Sequence, residues 1–269
     1  MANLEQATEG LRLCLEQQLG ILKSLIKESF SDKKLNSLRI LPASACSTGA
    51  AICDLGKHPE YYLAEMTMLA RSFIEKVTNY CYLLLCDEEE YKNYVTHPYY
   101  RMFHNLDRTK VAGKTKIGLR FQGKDRIKDL PQVVEALSRF SDTNPKRNWS
   151  DKTIDQKISL IHEKSGIKIE FFLMNTLTIY SNASEALHGS LYGSAFHLGT
   201  FEPGGYPTNL EWVYKKVSKE SALLFAQMSS MIVETLKLIH TLHPIEEMLK
   251  KSKLIEDQTL VLMKSAFEQ

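Results

Sequence analysis

The chain has 269 residues, of which 43% are hydrophobic and 25% are charged, and its formal net charge is +2. A chain of this length and composition can bury a substantial core. The near-neutral charge excludes nucleic-acid binding driven by overall charge, so such a role needs a local basic patch. The sequence shows no apolar run of about 18 residues, no N-terminal signal pattern and no CxxC motif. These features predict a cytoplasmic protein that does not enter a membrane.

The first third of the chain is predicted to be helical from the spacing of its apolar residues. Residues 4–29 have an amphipathic pattern, residues 30–43 are predicted to form a connector, and the small residues of 44–56 predict a short helix. Pro59 stands where a first-turn proline belongs. The apolar residues that follow predict a long, central helix over 60–86.

The chain after this helix alternates between helices and breaks. Asp87 and Glu90 predict the cap of another helix, and Pro98 is predicted to interrupt that helix. Residues 108–128 contain glycine, carry many cations and have no helical stripe, so they predict a loop or a small hairpin. The remaining predicted helices are 131–140, 151–165, 167–192, a long helix capped by Thr208 and Glu211 and ended by Pro244, and a short amphipathic tail.

Together these patterns predict an all-α fold, a helical bundle with a basic insertion at 108–128. The expected domains are N-terminal helices over 1–57, the bundle over 58–243 and a C-terminal helical tail over 244–269. The segment MSSMIVETL at 228–236 offers an apolar surface for a possible homodimer.

The helix predicted before the glycine-rich break carries an unusual polar pattern. Tyr180, Ser184 and His188 recur every fourth residue, so they form one seam on a helix that begins as core, with Leu173 and Leu177 on the same stripe. A buried imidazole there would need hydrogen-bond partners. Two interpretations stay open: a core histidine bonded to a Tyr or Glu of a neighbouring helix, or a site histidine that exchanges protons near neutral pH.

A second polar line, formed by Arg71, Glu75 and Asn79, lies on the long central helix at four-residue spacing. One interpretation is a solvated flank, where an i,i+4 ion pair contributes a few tenths of a kcal/mol. In the other, Arg71 and Glu75 turn inward and meet His188, Arg71 supplies a fixed charge for a phosphate, and Glu75 orients Arg71 or the imidazole. The candidate catalytic residues are therefore His188, Arg71, Glu75, Tyr180 and Ser184.

The basic segment 108–128 is the candidate nucleic-acid site. Cations that alternate with Phe121 suit a flexible polyanion, through phosphate neutralisation and base stacking. The alternative is a charge run that forms a solvated face. The candidate contacts are Lys114, Lys116, Arg120, Lys124 and Arg126, and NPKRNW at 144–149 adds two cations and a tryptophan.

The sequence contains neither a phosphate-binding loop nor a metal-binding motif. AGKTK at 112–116 is not a phosphate loop, because Arg108 stands where that motif needs its first glycine. The pair His240 and His243, and the pair His97 and His104, lack the carboxylate or thiolate neighbours of a metal site. We therefore predict no metal and no cofactor.

Two stretches carry a family resemblance: MTMLARSFIEKVTNYCYLL at 66–84 and YSNASEALHGSLYG at 180–193. Over residues 58–195 the chain resembles bacterial helical proteins of a domain-of-unknown-function family that look related to the HEPN superfamily of four-helix-bundle nucleases and toxin-like domains. In that pattern an Arg-x-x-x-Glu helix precedes a helix that ends in a Tyr, Ser and His arrangement. The resemblance implies a HEPN-like bundle, and such bundles often pair.

Catalytic HEPN ribonucleases carry an arginine, often followed by asparagine, and then a histidine after four to six residues. The arginine and histidine of two protomers meet across a dimer and cleave RNA without a metal, through the ribose 2′-hydroxyl. In SNASEALH, Asn182 and His188 match this motif, but Ser181 stands at the arginine position.

The resemblance thus implies a non-catalytic or conditionally active component of a bacterial defence or toxin-type system, with a protein partner and RNA or DNA as a further contact. The alternative is a metal-independent endoribonuclease that uses His188 as general acid/base and Arg71 to stabilise the phosphorane.

Overall fold

The structure is a computed structural model that describes residues 2–140, 148–188 and 209–267. Helices dominate these residues, which confirms the predicted all-α class. The chain divides into two compact units, one formed by residues 1–85 and 154–269 and the other by Cys86–Thr153. The domain boundaries expected at residues 57 and 243 stay predictions.

The larger unit is built entirely from helices in its described part. Its elements are α1 (Ala2–Leu25), α2 (Lys33–Ser37), α3 (Ile40–Leu55), α4 (Pro59–Leu85), α8 (Ile154–Ser165), α9 (Glu170–Asn175), a π turn (Thr176–Tyr180), α10 (Ser181–Leu187), α11 (Leu210–Leu242) and α12 (Glu246–Phe267). The smaller unit contains α5 (Glu88–Asn105), β1 (Arg108–Ala112), β2 (Thr115–Leu119), α6 (Lys124–Lys128) and α7 (Pro131–Arg139).

Helix α11 is the centre of the larger unit. It packs against α1, α4, α9 and α12, and nearly all residues from 221 to 239 are buried around its whole circumference. The prediction that residues 228–236 form a pairing surface is wrong, because their side chains fill this core. By length and composition α11 could cross a membrane, but 89% of its most apolar window is buried inside the protein.

The N-terminal helices follow the predicted pattern with one correction. The predicted helices over 4–29 and 60–86 correspond to α1 and α4, but the predicted connector 30–43 contains α2 and the start of α3. Asp32 begins α2, because its carboxylate accepts hydrogen bonds from the backbone N–H groups of Lys34 and Leu35. Pro42 lies in the first turn of α3, where a proline removes no intrahelical hydrogen bond.

Helix α5 corrects a second prediction, since it continues through Pro98 instead of being interrupted there. Proline removes one backbone hydrogen bond inside a helix. Packing against α7 compensates for this loss: Tyr100 is buried with Ala136 and Phe140, and the His97 ring lies 5.3 Å from that of Phe140. The predicted cap at the start of α5 is confirmed, because the Asp87 side chain accepts a hydrogen bond from the backbone of Glu90.

The basic insertion contains a two-stranded antiparallel hairpin followed by α6. Arg108 pairs with Leu119 and Ala112 pairs with Thr115. The two-residue loop begins with Gly113 at φ +58°, as expected where a type II′ turn needs glycine at its first position. Both faces of the hairpin are exposed along its whole length.

The structure describes only part of the predicted ends of the seam helix and of the last long helix. The predicted extension to residue 192 and the predicted cap Thr208 lie outside the described residues. In the structure Asn209 caps α11, because its side chain accepts a hydrogen bond from the backbone of Glu211. Helix α11 ends before Pro244, as predicted.

Candidate functional site

The central feature of the candidate site is Arg71, which we group with Glu75, Tyr180 and Ser184 as the Arg71 cluster. Nη2 of Arg71 donates a hydrogen bond to the Tyr180 hydroxyl at 3.2 Å, and Nη1 donates to Oγ of Ser184. The guanidinium carbon lies 4.2 Å from the centre of the Tyr180 ring. The cluster therefore joins α4 to the segment that contains the π turn and α10.

Glu75 completes the cluster from one turn further along α4. Its Oε1 lies 3.5 Å from Nε of Arg71 and accepts a hydrogen bond from the Tyr180 hydroxyl at 2.8 Å. The Tyr180 hydroxyl thus accepts from a cation and donates to an anion. Burial and the hydrogen bond to Glu75 raise the pKa of Tyr180, so this hydroxyl stays protonated as a donor at neutral pH.

The Arg71 cluster is half-buried and keeps hydrogen-bonding capacity. The Arg71 side chain is 25% exposed and that of Glu75 is 45% exposed. A guanidinium has five N–H donors, and within the described residues two of them bond to Tyr180 and Ser184. Arg71 can therefore present further donors to an anion while Tyr180 and Ser184 fix its orientation.

The segment that carries Tyr180 and Ser184 corrects the predicted seam. Leu173 and Leu177 were expected in the core, but they are 47% and 72% exposed. The buried face instead consists of Phe172, Asn175, Thr176, Ile179 and Ala183. Tyr180 and Ser184 therefore lie on the flank of the buried face, where they contact α4, and they do not continue a core stripe.

A π turn spans Thr176–Tyr180, directly before α10. Such turns are rare and often occur at functional sites. Two polar contacts to α11 hold the turn and the residue before it: the Thr178 hydroxyl donates to the Gln227 side chain at 2.8 Å, and the Asn175 side-chain amide donates to the backbone carbonyl of Gln227 at 3.1 Å. These bonds fix the segment that places Tyr180 beside Arg71.

Glu234 on α11 supports the same segment from its N-terminal end. Its carboxylate accepts hydrogen bonds from the backbone N–H groups of Phe171 and Phe172 at 3.1 and 3.2 Å. These N–H groups belong to the first turn of α9 and have no intrahelical partner. Burial raises the pKa of Glu234 to about 7, although the two backbone hydrogen bonds and Lys237 act in the opposite direction.

His188 occupies a different environment from the other candidate residues. It follows the last residue of α10 and is exposed, so the interpretation as a satisfied core histidine is wrong. Within the described residues, no side-chain hydrogen bond joins its imidazole to Arg71, Glu75 or Tyr180. The structure brings four of the five candidate catalytic residues together and places His188 one turn beyond Ser184.

The side chain of Asn79, the third member of the predicted polar line on α4, bonds to another helix. Its side-chain oxygen accepts a hydrogen bond from Lys157 on α8 at 2.9 Å. Lys157 is buried, with its ammonium 5.8 Å from the Tyr82 ring. This residue therefore contributes to helix packing and not to the Arg71 cluster.

The candidate nucleic-acid residues are distributed over several surfaces of the smaller unit. Lys114 lies in the hairpin loop, Lys116 on β2, and Arg120 just after β2. Residues that face each other across the hairpin share a side, so Lys116 and Val111 lie on one face and Lys110 and Ile117 on the other. The predicted basic patch is thus divided between two faces.

Helix α6 carries the remaining two candidate cations. Lys124 is half-buried and forms an ion pair with Asp107 at 2.9 Å, and its ammonium lies 4.8 Å from the Phe103 ring. Arg126 is exposed, as are the three hairpin cations Lys114, Lys116 and Arg120. These four form no ion pair within the described residues, whereas Lys124 has a local structural role.

The sequence patterns do not predict that Glu234, Gln227 and the π turn belong to the site. Glu234 and Gln227 stand in the middle of an apolar helix, and buried polar residues in such positions usually have specific partners. That rule singles out the two residues, but their partners are more than 45 residues away in the chain.

Among the described residues, no group of three or more His, Cys, Asp or Glu could hold a metal ion.

The fold and the site define an all-α protein whose long helix α4 holds a partly exposed, hydrogen-bonded arginine. The chain belongs to DUF5677, a family of unknown function whose model matches residues 38–206, more than half of the chain. The matched range contains the Arg71 cluster and the hairpin and ends before α11. No curated protein and no solved structure matches the chain.

Proposed function

We propose that this protein is a HEPN-like, cytoplasmic helical component of a bacterial defence or toxin-type system that works through contacts with protein and nucleic acid. The Arg71 cluster carries the proposal. It joins the two stretches on which the resemblance rests, because Arg71 and Glu75 of the first meet Tyr180 and Ser184 of the second.

A binding role for Arg71 agrees with its surroundings. The guanidinium is fixed by Tyr180 and Ser184 and partly neutralised by Glu75. A preorganised guanidinium suits a phosphate, because its N–H groups match two phosphate oxygens at once. Ser181, at the position of the arginine in the nuclease motif, carries no positive charge to stabilise a phosphorane, so binding without cleavage is the favoured activity.

One observation supports a second candidate, a metal-independent endoribonuclease. His188 is exposed and lies one turn beyond Ser184, which is itself bonded to Arg71. An accessible imidazole can act as general acid/base near neutral pH. In this candidate, Arg71 would stabilise the phosphorane charge and Tyr180 or Ser184 would position the substrate.

The test is a binding and cleavage assay of the full chain with a labelled single-stranded RNA. We expect saturable, salt-dependent binding without cleavage, and weaker binding for Arg71→Ala. Cleavage that is lost in His188→Ala, with the fold retained by circular dichroism, would favour the endoribonuclease. If the wild-type chain neither binds nor cleaves RNA or DNA at low salt, the nucleic-acid part of the proposal is wrong.

A further inference from the structure

A cleft of about 490 Å³ opens between the first turns of α11 and the last turn of α12. The residues that characterise it are two aromatic side chains and three lysines: Trp212, Phe267, Lys215, Lys216 and Lys219. This cleft is distinct from the Arg71 cluster and from the hairpin. It also lies outside the residues matched by the family model.

The lysines converge on the cleft because of their spacing on α11. Lys215 and Lys219 are four residues apart, and Lys216 lies four residues after Trp212, so the four side chains occupy adjacent positions on one side of the helix. Like charges at this spacing destabilise an isolated helix. A bound anion would neutralise this repulsion.

The aromatic residues add flat, accessible surfaces to the charged ones. Trp212 is 37% exposed and Phe267 is 40% exposed. The ammonium of Lys216 lies 5.3 Å from the Trp212 ring, and that of Lys219 lies 5.9 Å from the Phe267 ring. Two of the three lysines, Lys216 and Lys219, are thus held beside an aromatic ring at the edge of the cleft.

We propose that this cleft binds a nucleotide, with its base against Trp212 or Phe267 and its phosphates at Lys215, Lys216 and Lys219. Bases stack on aromatic side chains with little sequence preference, while nearby lysines neutralise phosphates. Glu220 also lines the cleft, and it is the one carboxylate among these described lining residues. Three lysines and one carboxylate give these described lining residues a net positive formal charge.

The ligand can come from two sources with the same chemistry: a free mononucleotide or one nucleotide of a single strand. The volume of the cleft suits a single nucleotide unit. Within the described residues, the basic segment 108–128 has four candidate cations without an ion pair, and Phe121 is the one aromatic residue of that segment. The cleft therefore combines base and phosphate recognition more closely than the hairpin does.

The test uses tryptophan fluorescence of the full chain. The sequence has two tryptophans, so Trp149→Phe leaves Trp212 as the only reporter. We expect saturable quenching by an oligoadenylate of about ten nucleotides, and at least about tenfold weaker binding after Lys215, Lys216 and Lys219 are changed to alanine. A control variant with Lys250→Ala, Lys251→Ala and Lys253→Ala removes the same charge from the exposed side of α12 and should weaken binding less than about twofold.

The outcomes separate this inference from the proposed function. If anisotropy shows that the oligonucleotide binds while Trp212 fluorescence stays constant, the cleft is not the site, although the nucleic-acid role survives. Equal losses in the two triple variants, or equal quenching by inorganic polyphosphate, would also overturn base recognition in the cleft. Quenching by adenosine triphosphate at similar concentrations identifies a free nucleotide, and quenching by the oligonucleotide alone identifies a single strand. Both of these results support the cleft.

Discussion

The Arg71 cluster and the basic hairpin use similar residues in opposite ways. In the cluster one cation is half-buried between helices and is held by a tyrosine, a serine and a carboxylate. In the hairpin several cations extend into solvent from both faces of two strands. A fixed charge can recognise one phosphate in a defined geometry, whereas dispersed charges attract a polyanion without defining its position. The number of cations in a region therefore says little about the precision of the site they form.

The largest effect on stability is expected from Glu234, which holds the N-terminal end of the segment that carries Tyr180. Because Glu234 has a pKa of about 7 in the folded protein and an ordinary value of 4.5, the folded state binds this proton more tightly than the unfolded state. The free energy of unfolding should therefore fall as pH rises from about 4.5 to about 7, by on the order of 2 kcal/mol. Urea unfolding at about pH 5 and pH 8 measures this change.

The matched variant for this prediction is Glu234→Gln, which does not titrate. Its free energy of unfolding should vary less between the two pH values than that of the wild-type protein. An equal pH dependence in both proteins would show that another group is responsible. A hairpin variant such as Lys116→Ala should keep the full wild-type dependence, because the hairpin has no part in this contact.

A smaller effect is expected from Arg71→Ala. This change leaves the Tyr180 hydroxyl, the Ser184 hydroxyl and Glu75 without the guanidinium, all in a half-buried position. We expect a loss of about 1–2 kcal/mol in the free energy of unfolding, measured by urea denaturation. Arg71→Lys should restore only part of this loss, because an ammonium cannot bond in the same planar geometry.

Substitutions in the hairpin should change the affinity for nucleic acid and leave the free energy of unfolding unchanged. Changing Lys114, Lys116 and Arg120 to alanine should weaken single-stranded RNA binding by about tenfold at low salt and lower the slope of log affinity against log salt by up to about 2. Anisotropy titrations at several salt concentrations measure both quantities. An unchanged slope would show that these three residues do not contact phosphates.

The smallest effect on stability is expected at His188. Its side chain is exposed and has no hydrogen bond within the described residues, so His188→Ala should change the free energy of unfolding by less than about 0.5 kcal/mol. Thermal and urea unfolding measure it. A loss of several times this size would mean that the imidazole has a structural partner.

The sequence predicted the elements whose causes are local. Pro59 and the apolar residues after it were sufficient for α4, and Asp87 with Glu90 for the start of α5. The glycine-containing basic stretch 108–128 predicted a loop or a small hairpin, and the structure shows the hairpin. Each depends on residues within a few positions of one another, where capping and periodicity act directly. The continuation of α5 through Pro98 was missed, because it depends on packing against α7, more than 30 residues later.

For the candidate site, the sequence by itself determined which side chains were available: an Arg and Glu at i,i+4 on one helix, and a Tyr, Ser and His at i,i+4 on another. Tertiary structure decided which of them meet. Packing of α4 against the π turn and α10 brought Arg71 to Tyr180 and Ser184 and left His188 exposed. Packing of α11 against α12 placed Trp212 and Phe267 at the same cleft, although 55 positions separate them. Spacing along a helix fixes which residues share a side, but only burial against other helices decides which side faces a partner.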